Sequence, residues 1–160
     1  MRAPVIAVIG AGTCSPEVEA LAAEIGAEIA RSGSTLICGG LGGVMTAAAR
    51  GAKEAGGITI GILPGPSTEA ANPHIDFAVA TDMGQARNAI IVQTADALIA
   101  VAGGYGTLSE IALALKIGKQ VVALQPQFTV AGVKVVQKPR EAVDEALNIL
   151  SEGRASALEL

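Results

Sequence analysis

Aromatic side chains make up 2% of this 160-residue chain, as one tyrosine, two phenylalanines and no tryptophan. Only Tyr105, Phe77 and Phe128 are available to stack on a base. Positive charge is also short: 11 Lys and Arg against 15 Asp and Glu give a net charge of −4. Both shortages argue against a broad nucleic-acid surface. The two cysteines, Cys14 and Cys38, are too few for a disulfide scaffold and fit a reduced, cytoplasmic protein. They read as small buried or turn residues. The single histidine, His74, lies in a proline-containing loop and cannot build a metal cluster by itself, so no metal site is expected. No apolar run approaches the ~18 residues that a membrane helix needs. The apolar run after Arg2 is short and enters a glycine turn, so it reads as a first strand rather than a signal peptide.

What the chain does have is small and apolar. Apolar residues make up 51% and there are 20 glycines, which implies close backbone packing and tight turns. Strand and helix patterns alternate from end to end. Strands are expected at 4–9, 35–38, 58–63, 77–80, 97–101 and 120–124. Helices are expected over 16–31, 44–55, 83–94, 108–117 and 139–151. Ser15-Pro16-Glu17 is a strong helix start, and Asp82 is placed to cap the helix from Met83. Residues 64–76 read as loop, 130–136 fit either an edge strand or loop, and the tail from Gly153 has no assignment. The alternation implies a single α/β domain over 1–160, with a parallel sheet covered on both faces by helices and right-handed crossovers. The pattern over Leu108–Ile117 is apolar nearly all round, as is Ala89–Val92, which points to buried subunit contacts and a homo-oligomer.

Three glycine-rich turns fall at expected strand carboxyl ends, where ligands of such sheets bind. The first, with Gly10 and Gly12, lacks the third glycine of the dinucleotide fingerprint, and no clear acid ends the second strand to hold a ribose. Ordinary NAD binding is therefore not expected. The second, Gly39-Gly40-Leu41-Gly42-Gly43, fits close ligand approach or tight packing. The third, Gly103-Gly104-Tyr105-Gly106-Thr107, leads into a helix whose N-terminus carries about half a positive charge, and so reads as a phosphate site. Thr107-Leu108-Ser109-Glu110 also fits a capping box, in which Glu110 would be tied up as a cap and be a poorer base. Arg87 is the only Lys or Arg between Lys53 and Lys116. It fits a solvated surface residue or a bidentate partner for phosphate.

In order along the chain, Gly39 to Met45, Gly61-Ile62-Leu63-Pro64, Ala86-Arg87-Asn88, and Gly103 to Thr107 with Glu110 resemble the LOG family, long labelled "lysine decarboxylase-like". The resemblance covers about residues 4–125 and implies a Rossmann-like fold. LOG enzymes are nucleoside-monophosphate phosphoribohydrolases that free the base from ribose 5′-phosphate, notably in cytokinin activation. By that resemblance Gly103, Gly104, Gly106 and Thr107 hold the phosphate, Glu110 assists attack of water on C1′, and Arg87 completes the catalytic pair. No decarboxylase lysine is implied.

Two positions depart from the hydrolases: Ala102 stands where they typically have proline, and Asn88 where they have lysine. The Ala-Arg-Asn form looks more like a sister branch that includes molybdenum-cofactor carrier proteins, oligomers that bind the phosphate-bearing pterin without a known reaction. The same fold family also contains a DNA-processing protein. The resulting expectation is a carrier-like binding protein for a phosphorylated nucleotide-like ligand, with a LOG-type phosphoribohydrolase as the alternative. No resident cofactor is expected; the ligand is molybdopterin or a nucleoside monophosphate. The expected ligand residues are Gly10, Gly12, Gly39, Gly40, Gly42, Gly43, Met45, Arg87, Asn88, Gly103, Gly104, Tyr105, Gly106 and Thr107. The chain is expected to be a dimer or tetramer, with neither nucleic acid nor membrane as a partner.

Overall fold

The computed structural model describes residues 2–158. Six strands, β1 (Val5–Gly10), β2 (Thr35–Cys38), β3 (Thr59–Leu63), β4 (Phe77–Ala80), β5 (Ala97–Val101) and β6 (Gln120–Leu124), together with the short β7 (Lys134–Val135), form one sheet in the order β4-β3-β2-β1-β5-β6-β7. Every pairing is parallel. The helices are α1 (Pro16–Arg31), α2 (Val44–Glu54), α3 (Arg87–Thr94), α4 (Tyr105–Lys116) and α5 (Pro139–Leu158). None of the described helices is long and apolar enough to cross a membrane.

The sequence explains this arrangement strand by strand. Side chains of β1 alternate between faces: Ile6 and Val8 enter the layer under α1, α2 and α5, while Ala7 and Ile9 enter the layer that holds Ile91 of α3 and Ile111 of α4. Both faces are covered, so β1 and β5 read as unbroken apolar runs rather than as alternating ones. The chain lays strands outward from β1 to β4, then returns to place β5 on the other side of β1. Strand order therefore reverses between β1 and β5, and the crevice at their carboxyl ends is the natural ligand position.

Most expected boundaries agree within a residue or two, and Ser15 caps α1 by accepting from the Val18 amide at 3.3 Å. The helix expected from Met83 begins instead at Arg87, after a 3-10 turn over Gly84–Ala86. Asp82 does not cap it. Asp82 has φ 51°, and it is the Thr81 hydroxyl that accepts from the Met83 amide, at 3.2 Å. The loop over 64–76 contains a 3-10 turn at Thr68–Ala70, and the carbonyl of half-buried His74 accepts from the Thr59 hydroxyl at 2.6 Å. The ambiguous 130–136 segment supplies the edge strand β7. The last helix runs past Ser151 to Leu158; Glu159 and Leu160, the end of the unassigned tail, lie outside the described residues.

Candidate functional site

A cleft of about 490 Å³ opens at the carboxyl edge of the sheet, over the β1/β5 switch point. Each glycine turn contributes to it. The β1 turn supplies Gly10, Ala11 and Gly12; the β2 turn and α2 supply Leu41 and Met45. The approach to α3 supplies Gly84, Gln85 and Arg87, and α4 supplies Gly104, Gly106, Thr107 and Glu110. A small recess adjoining it adds Gly39 and Asn88. Of the residues expected from sequence, Gly40, Gly42, Gly43 and Gly103 do not line the cleft, and neither does Tyr105. The Tyr105 ring is 81% exposed and lies against Phe128, with centroids 5.4 Å apart. Sequence reasoning missed Ala11, Leu41, Pro64, Gly84 and Gln85 as lining residues. Leu41 and Pro64 carried a signal, in the Gly39–Met45 and Gly61–Pro64 motifs.

The third turn differs from the expected capping box. Helix α4 begins at Tyr105 with Gly104 as N-cap, so Thr107 is the third helical residue and cannot be the cap. The cause lies in the backbone before it. Gly103 has φ 92°, and a β-carbon there would sit 2.2 Å from the Thr107 hydroxyl oxygen, so Thr107 packs into space that only glycine leaves. Leu108 is the first residue of α4 whose amide reaches a helical carbonyl, Gly104 O at 3.0 Å. The amides of Tyr105, Gly106 and Thr107 lie ahead of it without an intrahelical acceptor, and no side chain caps them. This uncapped, partly positive helix end faces the cleft across Gly104 and Gly106. Around Gly106 and Gly12 a β-carbon would meet nothing within 4 Å, so packing does not explain their missing side chains.

The turn before α4 also departs from a proline turn. Ala102 has φ 47°, and its amide donates to Leu124 O at 2.9 Å. Proline, with φ fixed near about −65° and no N–H, cannot take this position.

Arg87 is not a solvated surface residue: it is 9% exposed. Its Nε donates to Ile62 O at 2.7 Å, Nη2 to Gly39 O at 3.4 Å, and Nη1 to the side-chain oxygen of Asn88. The guanidinium lies so close to Gly39 that a β-carbon there would be 2.7 Å from Nη2. All these acceptors are neutral. Burial holds the Arg87 pKa below its ordinary value, against the pull of Glu110. Glu110 makes no capping bond and no ion pair with any described residue. Burial pushes its carboxyl up to about 7, and Arg87 draws it partly back. Cys38, fully buried at the end of β2, is pushed up to about 11 by burial, while half-buried Cys14 is raised by burial and by Glu19.

Parallel strands, a reversal of strand order and glycine turns at that point define a Rossmann-like α/β protein with its cleft at the switch point. The SLOG cluster4 family matches residues 3–151, and the chain belongs to that family. It is 50% identical over 148 residues to an uncharacterized protein of Archaeoglobus fulgidus, covering 92% of this chain and 97% of the relative. Among solved structures, the molybdenum cofactor binding protein of Rippkaea orientalis superposes with a TM-score of 0.89 at 38% identity, covering 94% of this chain and 99% of that one. The molybdenum cofactor carrier protein of Chlamydomonas reinhardtii gives 0.87 at 38% identity, with the same coverage. A cytokinin riboside 5′-monophosphate phosphoribohydrolase of Mycobacterium tuberculosis is 41% identical over 99 residues, 59% of this chain; the matched part spans 52% of that enzyme. DNA processing protein A of Streptococcus pneumoniae, at 20% identity and a TM-score of 0.74, shares the fold alone.

Proposed function

We propose that the cleft holds a phosphorylated, nucleotide-like ligand and that the chain acts as a carrier, with the molybdenum cofactor as the cargo its structural relatives are named for. The observation that carries this reading is the uncapped N-terminus of α4. Its free amides open onto a cavity of ligand size, beside a buried arginine that has no carboxylate in contact. Bare backbone at Gly104 and Gly106 lets phosphate oxygens reach those amides, and Arg87 supplies a fixed positive charge in the same cleft. These donors suit the phosphate of the cofactor. No histidine or cysteine lines the cleft, so the protein would hold the cofactor by its phosphate and ring rather than by ligating the metal. The test is saturable binding of molybdopterin, abolished by Arg87→Ala; absence of binding removes the carrier reading.

One observation favours hydrolysis instead. Glu110 is free of any cap, faces the cleft, and has its carboxyl raised to about 7, the range in which an acid both gives and takes protons at neutral pH. Cleavage of an N-glycoside passes through an oxocarbenium-like sugar that a carboxylate stabilises. Incubation with AMP and other nucleoside monophosphates decides between the readings. Release of free base that disappears in Glu110→Gln and Arg87→Ala would replace the carrier by a phosphoribohydrolase.

The same reading takes 1–160 as one ligand-binding domain of a cytoplasmic homo-oligomer. Partly buried Leu108, Leu113 and Leu115 on α4, with Ile117 at 39% exposure, support a subunit contact, and two free cysteines support a reducing compartment. Light scattering of the purified chain tests the first. A monomer at micromolar concentration would remove it.

A further inference from the structure

We propose that Glu110 sets the charge that the cleft accepts: in the free protein it is the counter-ion of Arg87, and an anionic ligand takes over that role while Glu110 takes up a proton. This rests on the reading of the cleft as an anion site.

The argument starts from Arg87. Its guanidinium is buried, yet the oxygens that hold it are two backbone carbonyls and an amide side chain, none of them charged. These bonds fix its position without cancelling its charge, and a buried charge without a partner is costly. The one carboxylate that acts on it electrostatically is Glu110, which lines both the cleft and the recess with it but forms no ion pair with it. Glu110 sits in the second turn of the helix whose N-terminus faces the same cavity.

Among the described residues, the surroundings of Glu110 are otherwise free of ionisable groups. Strands β1, β5 and β6, packed against α4, carry none. The facing part of α2 presents Met45, and α3 presents Arg87 and neutral Asn88. The Cys38 thiol, beyond Arg87, is raised to about 11 and stays protonated. Two effects therefore govern Glu110: burial, which favours the neutral acid, and Arg87, which favours the carboxylate. A phosphate or sulfate at the α4 N-terminus cancels the second effect and adds like charge to the same cavity. Both changes favour the neutral acid, so binding draws a proton from solvent onto a Glu110 carboxylate oxygen.

The probe is sulfate, whose charge is constant across the range of interest, so that proton exchange reports the protein alone. Calorimetry of the 160-residue chain at about pH 7.5, in two buffers of different ionisation enthalpy, should show net uptake of roughly half a proton or more per sulfate. Affinity should fall about tenfold from pH 6 to pH 8. Glu110→Gln should bind with affinity independent of pH and, at pH 8, about tenfold more tightly than wild type. Wild-type binding without proton uptake overturns the proposal whether or not the variant folds. So does an unchanged pH dependence in Glu110→Gln. If neither sulfate nor AMP binds at any pH, the anion site itself is wrong and the proposal falls with it; pH-independent binding leaves the anion site standing and removes only the proton linkage.

Discussion

Replacing Gly106 by alanine should raise stability and lower ligand binding at once. Gly106 is the second residue of α4 and has no positive φ, and a β-carbon there meets nothing within 4 Å. Alanine in a helix is favoured over glycine by about 0.5–1 kcal/mol, largely through the unfolded chain. For a domain of this size that corresponds to a rise of roughly 1–4 °C in Tm. The added methyl, however, occupies the space through which an anion would approach the free amides of Tyr105, Gly106 and Thr107. Binding of AMP or sulfate should fall at least about tenfold, equivalent to 1.4 kcal/mol. Thermal denaturation with and without ligand reads both effects in one experiment: the apo Tm rises and the ligand-induced shift shrinks. Gly103→Ala is the control with the opposite sign. Its φ of 92° and the 2.2 Å approach to Thr107 predict destabilisation by about 2–3 kcal/mol. If Gly106→Ala binds ligand as well as wild type, the anion does not sit at this turn. If it destabilises the apo protein, the start of α4 has been described wrongly.

At Ala102, φ 47° with a β-carbon predicts that Ala102→Gly gains about 1 kcal/mol, whereas Ala102→Pro, unable to match φ or to donate to Leu124 O, loses about 3 kcal/mol or more; chemical denaturation measures both. Gly51→Ala should cost at least about 1–3 kcal/mol, because the new β-carbon would lie 1.8 Å from Ala23 O where α1 and α2 cross. Glu110 predicts a pH dependence of stability. Its folded pKa is raised from 4.5 to about 7, so the stability present below the unfolded pKa is lost as pH rises from 4.5 through about 7. The loss is on the order of 3 kcal/mol. Wild-type Tm should fall over that window relative to Glu110→Gln, and parallel curves would show that the carboxyl is not buried as described.

Much of the fold is legible along the chain because its signals are local. Ser15-Pro16 starts α1, Gly33 and Gly118 follow helices, and the apolar runs of β1 and β5 have strand length and are buried on both faces. Where these signals misled, backbone conformation had overridden side-chain chemistry. Thr107-x-x-Glu110 has the spacing of a capping box, but the space left by Gly103 draws Thr107 inward and starts the helix three residues early. Asp82 has the chemistry of a cap, but the chain passes it with a positive φ and tightens into a 3-10 turn before Arg87.

The candidate site divides in the same way. The amino-acid sequence by itself determined that glycine turns end the strands and that an arginine and an acid lie near two of the helices that follow, since residue type and spacing suffice for that. It did not decide which glycines face the cleft and which make room for neighbours, because both uses demand the same missing side chain. Tertiary structure alone separated Gly39, held open by Arg87, from Gly106, which opens onto solvent. It also turned a lone arginine into a buried cation held by Ile62 and Gly39 carbonyls, residues 25 and 48 positions away. A group's charge state depends on what surrounds it in space. That Glu110 is a carboxyl poised near neutrality, rather than a helix cap, follows from the packing of β1, α2 and α3 around it.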